Sequence, residues 1–170
     1  ESSIRALAVG PDGGVWWAGS GGLVGHSADG GASWSVDSLR RPDGSVPSFR
    51  SVAVTERAAF VLSIESPALL YRRLHGEEEW TIVYQNNDSL AFFDSMQFWD
   101  AEEGLAMGDP LSGCLSVIVT RDGGANWQEL SCDVLPAAEE AGFAASNGTI
   151  ALYRDGVCIA SGGGQSRIFH

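Results

Sequence analysis

Ser27-Ala28-Asp29-Gly30-Gly31-Ala32-Ser33-Trp34 and Thr120-Arg121-Asp122-Gly123-Gly124-Ala125-Asn126-Trp127 are two copies of one pattern, Ser/Thr-x-Asp-x-Gly-x-x-Trp, set 93 residues apart. Each reads as a hairpin turn. Glycine supplies the positive φ that such a turn needs, and an aspartate carboxylate accepts hydrogen bonds from the backbone N–H groups that follow it. The hydroxyl of Ser27 or Thr120 is placed to hold the incoming strand. The indole of Trp34 or Trp127, on the outgoing strand, can pack back over the turn. Asp29, Gly31, Asp122 and Gly124 are therefore read as turn-shaping residues, in preference to catalytic or calcium-binding ones.

A third tryptophan, Trp80, divides the interval, so that Trp34, Trp80 and Trp127 stand 46 and 47 residues apart. That period suits a repeated sheet of four antiparallel strands. The middle copy, from Arg73 to Trp80, keeps the tryptophan and a shifted glycine and is degenerate. At the same period the sequence predicts strands over 4–9, 14–19, 22–27 and 33–38, then 49–54, 58–63, 69–74 and 81–85. A third set covers 93–99, 104–108, 115–120 and 127–131. A fourth unit is expected to begin near 142–145 and to continue through 149–153 and 157–161 to 167–170. In the first strand Ile4, Ala6 and Ala8 alternate with Arg5, Leu7 and Val9, and both faces are fairly apolar, as in a sheet packed between neighbours. The fold class is thus all-β: four-stranded blades of a β-propeller over 1–40, 48–86 and 91–132, with an incomplete one over 142–170. The repeated motif is similar to the Asp-box, or BNR repeat.

Composition agrees. Glycine accounts for 22 of 170 residues against six prolines, which favours many tight turns. Ten basic and 22 acidic residues give a net charge of −12, a surface that repels nucleic acid and anionic lipid. No apolar run is long enough for a membrane-spanning helix. Glu1 begins neither a signal peptide nor an initiator start, as expected of a mature exported form or an excised fragment. Cys114, Cys132 and Cys158 lack the spacing of a metal site, and no metal or cofactor is expected. Cys114 and Cys132 flank the hairpin centred on Gly123, where they would form either a disulfide in an oxidising compartment or a pair of buried thiols.

The segment Ala91-Phe92-Phe93-Asp94-Ser95-Met96-Gln97-Phe98-Trp99-Asp100, followed by Gly104-Leu105-Ala106-Met107-Gly108-Asp109-Pro110, resembles the bacterial exported BNR-like propellers. It is also similar to the photosystem II assembly and stability factor propellers. Phe49-Arg50-Ser51-Val52 and the stretch from Gly162 to Phe169 carry the same likeness, which extends over nearly the whole chain. It implies a complete ring of about seven blades, of which this chain would be roughly the N-terminal half. A missing C-terminal half or a second copy in a homodimer would then close the ring. The resemblance implies a fold and no particular activity, because propellers serve many chemistries.

Asp-boxes also occur in sialidases, whose site needs three clamping arginines, an aspartic acid and a Tyr–Glu pair. Arg5, Arg50, Arg72 and Arg167 form no matched set of that kind. Tyr71, Tyr84 and Tyr153 read as strand residues, and His26, His75 and His170 as surface or turn residues with no nucleophile arranged around them. Asp94, on an innermost strand, Asp109, before Pro110 in an expected turn, and Arg50 are the candidate ligand-binding cluster at the channel. The reading that results is a non-catalytic exported scaffold that binds a protein or carbohydrate partner through its channel mouth and loops. The competing reading is a carbohydrate-active hydrolase completed by further blades.

Overall fold

The computed structural model describes residues 2–137, 139–143 and 147–170. Turn-forming residues cut the chain into short strands that pair in sequence order. β1 (Ile4–Val9), β2 (Val15–Gly19), β3 (Leu23–Ser27) and β4 (Ser35–Ser38) form the first antiparallel sheet. β5 (Phe49–Val54), β6 (Ala58–Ser63), β7 (Ala68–Leu74) and β8 (Thr81–Asn86) form the second. β9 (Phe93–Phe98), β10 (Gly104–Leu111), β11 (Cys114–Thr120) and β12 (Gln128–Glu129) form the third. The fourth unit contains β13 (Glu140–Ala141), β14 (Ile150–Tyr153), β15 (Gly156–Ala160), β16 (Gly162–Gly163) and β17 (Ile168–Phe169). Within it β14, β15 and β17 make a three-stranded sheet, and β13 pairs with β16.

The first strands of successive sheets, β1, β5 and β9, lie against one another, and the sheets stack face to face outward from them. Strand periodicity sends alternate side chains to opposite faces, so a sheet with neighbours on both sides feeds two cores. β6 shows this in full, since all six of its residues are buried. Ala59 and Val61 enter the core shared with sheet one, beside Trp16, Ala18 and Val24. Phe60 and Leu62 enter the core shared with sheet three, beside Phe93, Met96 and Ile118. Burying each of the larger aliphatic and phenylalanine side chains contributes roughly 1.5–3 kcal/mol. A third core, with Leu105, Met107, Ile150 and Ile159, joins sheet three to the fourth unit.

The two hairpin turns carry matching hydrogen bonds. Gly31 N–H donates to Ser27 Oγ at 2.8 Å and Gly124 N–H to Thr120 Oγ1 at 2.9 Å. Each hydroxyl donates in turn to its aspartate, Asp29 or Asp122. Ser33 N–H and Asn126 N–H donate to those same carboxylates at 2.8 and 3.0 Å, and so do the Ser33 hydroxyl and the Asn126 side-chain amide. Trp34 and Trp127 each close the turn by an indole N–H bond to the carbonyl of Gly31 or Gly124. In the degenerate copy Trp80 is used differently. Its N–H donates to Asp37 Oδ2 at 3.0 Å, and its ring and that of Trp16 flank the Arg73 guanidinium, which is ion-paired with the same Asp37.

Three expectations about local structure change. The expected strand over 127–131 is short because the chain after Glu129 turns back along β11, with Leu130 N–H on Val117 C=O and Leu115 N–H on Leu135 C=O. Asp109 and Pro110 lie within β10, and the turn is formed at Ser112 and Gly113, both with positive φ. In the fourth unit, residues 144 and 145 of the expected opening strand are outside the described residues. The strand that packs on β9 is β14, one strand later than the period places it. Cys114 and Cys132 are joined by a disulfide, and Cys158 is a free, half-buried thiol.

Candidate functional site

Each innermost strand contains a bulge close to its start. Pairing passes from Ile4–Gly19 to Ala6–Ala18, from Phe49–Ser63 to Ser51–Leu62, and from Phe93–Gly108 to Ser95–Met107. The extra residues are Arg5, Arg50 and Asp94. A bulge leaves one residue unpaired and re-aims its side chain, so all three sheets present a charged residue at the same place in the repeat. The bulge also explains a glycine: a side chain on Gly108 would collide with the carbonyl of Phe92.

Arg5 is exposed, whereas Arg50 is half-buried with its guanidinium 5.5 Å from the centre of the Phe92 ring. Asp94 is completely buried, and neither of its carboxyl oxygens has a hydrogen-bond partner. Asp109 reaches the same spot from β10 and accepts the Gly142 N–H at 2.7 Å. Gly142 lies directly over the pair. A side chain there would collide with Asp94 Oδ2, and its Cβ would stand 3.2 Å from Asp109 Oδ1. Burial, reinforced by the Asp109 charge and partly offset by Arg50, pushes the Asp94 carboxyl up to about 7. Asp94 is therefore largely protonated below neutrality, yet sealed from any solvent-borne substrate in this conformation.

The structure thus brings Arg50, Asp94 and Asp109 together. The recurring charge was visible in Ile4-Arg5-Ala6, Phe49-Arg50-Ser51 and Phe93-Asp94-Ser95, but sequence reasoning missed it because a bulge is a property of pairing. The turn carboxylates of Asp29 and Asp122 are committed to their own turns. Tyr71 donates its hydroxyl to Arg40 C=O and Tyr84 to Glu129, while Tyr153 is exposed. Among the described residues no group of three or more His, Cys, Asp and Glu side chains could hold a metal ion.

These stacked meanders are the blades of a β-propeller. The chain is similar in structure to YCF48 from Cyanidioschyzon merolae, with a TM-score of 0.60 and 20% identity, over 78% of this chain and 41% of that one. It is also similar to YCF48 bound to D1 peptide, with a TM-score of 0.57 and 16% identity, over 76% of this chain and 43% of that one. This propeller chain therefore spans about two fifths of the length of those two structures. No protein-family model and no curated protein sequence matches it.

Proposed function

We propose that the protein is a non-catalytic propeller scaffold that binds a protein partner at the end of the sheets where the innermost strands begin. The observation that carries this reading is the set of bulged residues. Arg5 and Arg50 offer exposed or half-exposed guanidinium groups, with Phe92 beside Arg50, while the Asp94 carboxyl, raised toward neutrality, is sealed. Planar guanidinium groups beside an aromatic ring suit carbonyl and carboxylate groups of a polypeptide. The peptide complex of the similar YCF48 structure supports the same reading.

The two turns are read as Asp-boxes with a structural role. The Cys114–Cys132 disulfide supports residence in an oxidising, exported compartment. The apolar outer face of sheet one, with Leu7, Val9 and Val36 exposed, fits a ring completed by further sheets or by a second copy of the chain.

A labelled sample of the chain, offered to a peptide array and a glycan array, tests the proposal. Peptide binding that falls at least about tenfold in Arg50→Ala is expected, as for the loss of one charge-assisted contact. Binding to glycans alone, or hydrolysis of chromogenic glycosides, would sink it in favour of a carbohydrate-active role.

A further inference from the structure

We propose that segment 139–143 is a strap that closes over the Asp94–Asp109 pair while Asp94 is protonated, and that it loosens when Asp94 ionises. The strap is a property of the fold and stands whichever partner the protein binds.

Two carboxyl groups converge beneath Gly142, and the donor the strap brings to them is its single N–H, which Asp109 accepts at 2.7 Å. Asp94, fully buried, has no donor on either oxygen. A buried carboxylate in that condition loses its hydration without replacement, and a second one beside it adds like-charge repulsion. A proton on Asp94 removes both penalties, because the neutral carboxyl needs no charge solvation and repels no neighbour.

Among the described residues, few charges face the pair. From β5 comes Arg50, which offsets part of the negative charge. From the strap, Gly142 brings no side chain, and the buried Glu140 is ion-paired with Arg167. From the turn before β14, Thr149 faces β9 with a hydroxyl that is hydrogen-bonded to Ser95. When that proton leaves, the strap is the cover that can yield to water, because among the described residues the backbone pairing that holds it is short. β13 pairs with β16 over two residues, and Gly164 N–H and Gln165 N–H add bonds to Glu139 C=O at 2.9 and 3.4 Å.

The test follows the Gly142 amide in 1H–15N spectra of the full chain from about pH 5 to about pH 9, a range that brackets a raised carboxyl. A midpoint near 7 is expected, abolished in Asp94→Asn. Exchange of the Ala141 and Gly142 amides, referred to β6 amides in the same sample, is expected to rise at least about tenfold across it. No midpoint in that range, or one that survives in Asp94→Asn, overturns the proposal. Should Asp94→Asn not fold, Asp109→Asn decides: the midpoint falls as the neighbouring charge is removed, and an unmoved midpoint overturns the proposal.

Discussion

Around Ser27 and around Thr120 the chain makes the same turn with the same hydrogen bonds, and the two tryptophans that finish those turns meet different surroundings. Trp127 sits edge-on to Phe60 and Phe98, at 6.5 and 5.8 Å, inside the core between sheets two and three. Trp34 is 42% exposed, with Trp17 as its ring neighbour at 6.3 Å. The turn is therefore made locally, by one hydroxyl, one carboxylate and two glycines, and needs no neighbouring sheet. The tryptophan has a separable second task, which is to receive a ring from the sheet before it. In sheet one that seat is uncovered.

Removing the ring that fills the covered seat is the hardest blow to this comparison. Phe60 is fully buried, stacks on Phe98 at 4.5 Å and touches the Trp127 turn. Phe60→Ala should cost about 3–5 kcal/mol in urea unfolding, while the fluorescence of Trp34 in the folded protein stays unchanged. A loss under about 1 kcal/mol would mean that the ring is not the centre of that core.

A smaller and sharper contrast comes from the matched glycines. Gly31 and Gly124 both have positive φ, at 94° and 74°, so alanine at either site pays about 1 kcal/mol in backbone strain. A Cβ on Gly124 would also collide with the Phe60 ring, whereas on Gly31 its nearest neighbour is Trp34 at 3.6 Å. Gly124→Ala should therefore lose a further 1–3 kcal/mol or so relative to Gly31→Ala. Equal losses in the same unfolding assay would show that the two turns do not differ in their cover.

The smallest effect should be the same in both turns. The Ser33 hydroxyl, then the Ser33 N–H and the Ser27 hydroxyl, hold the Asp29 carboxyl down at about 2. For Asp122 the Asn126 side chain is the largest of the same influences, and it too holds the carboxyl below its usual range. Folded-state values below the unfolded one mean that this stabilisation is complete above about pH 4 and is lost as pH falls through the lowered values. Carboxyl 13C titrations should show both aspartates depressed, and Asn126→Ala should raise Asp122 while leaving Asp29 where it was. An unmoved Asp122 would remove Asn126 from the turn.

What the sequence made legible follows the same division. The turns could be read because every group that makes them lies within eight consecutive residues, and the sheet order followed from the spacing of three tryptophans. The fourth unit could not be placed by period, because the chain after Glu129 spends residues on a return along β11 before β14 begins. Asp94, Asp109 and Arg50 could be named from strand position and charge. Burial of Asp94 without a donor could not, because it depends on a bulge opposite Gly108 and on Gly142, distant in sequence.

The Cys114–Cys132 bridge encloses the whole Thr120–Trp127 turn, whose tip carries the exposed Arg121. Exposed loop tips are where proteases cut first. A trypsin-like nick after Arg121 would leave both fragments tied covalently, so the cut protein would migrate as one piece until a reductant released it. The bridge therefore protects chain integrity at the point where the third sheet is easiest to sever.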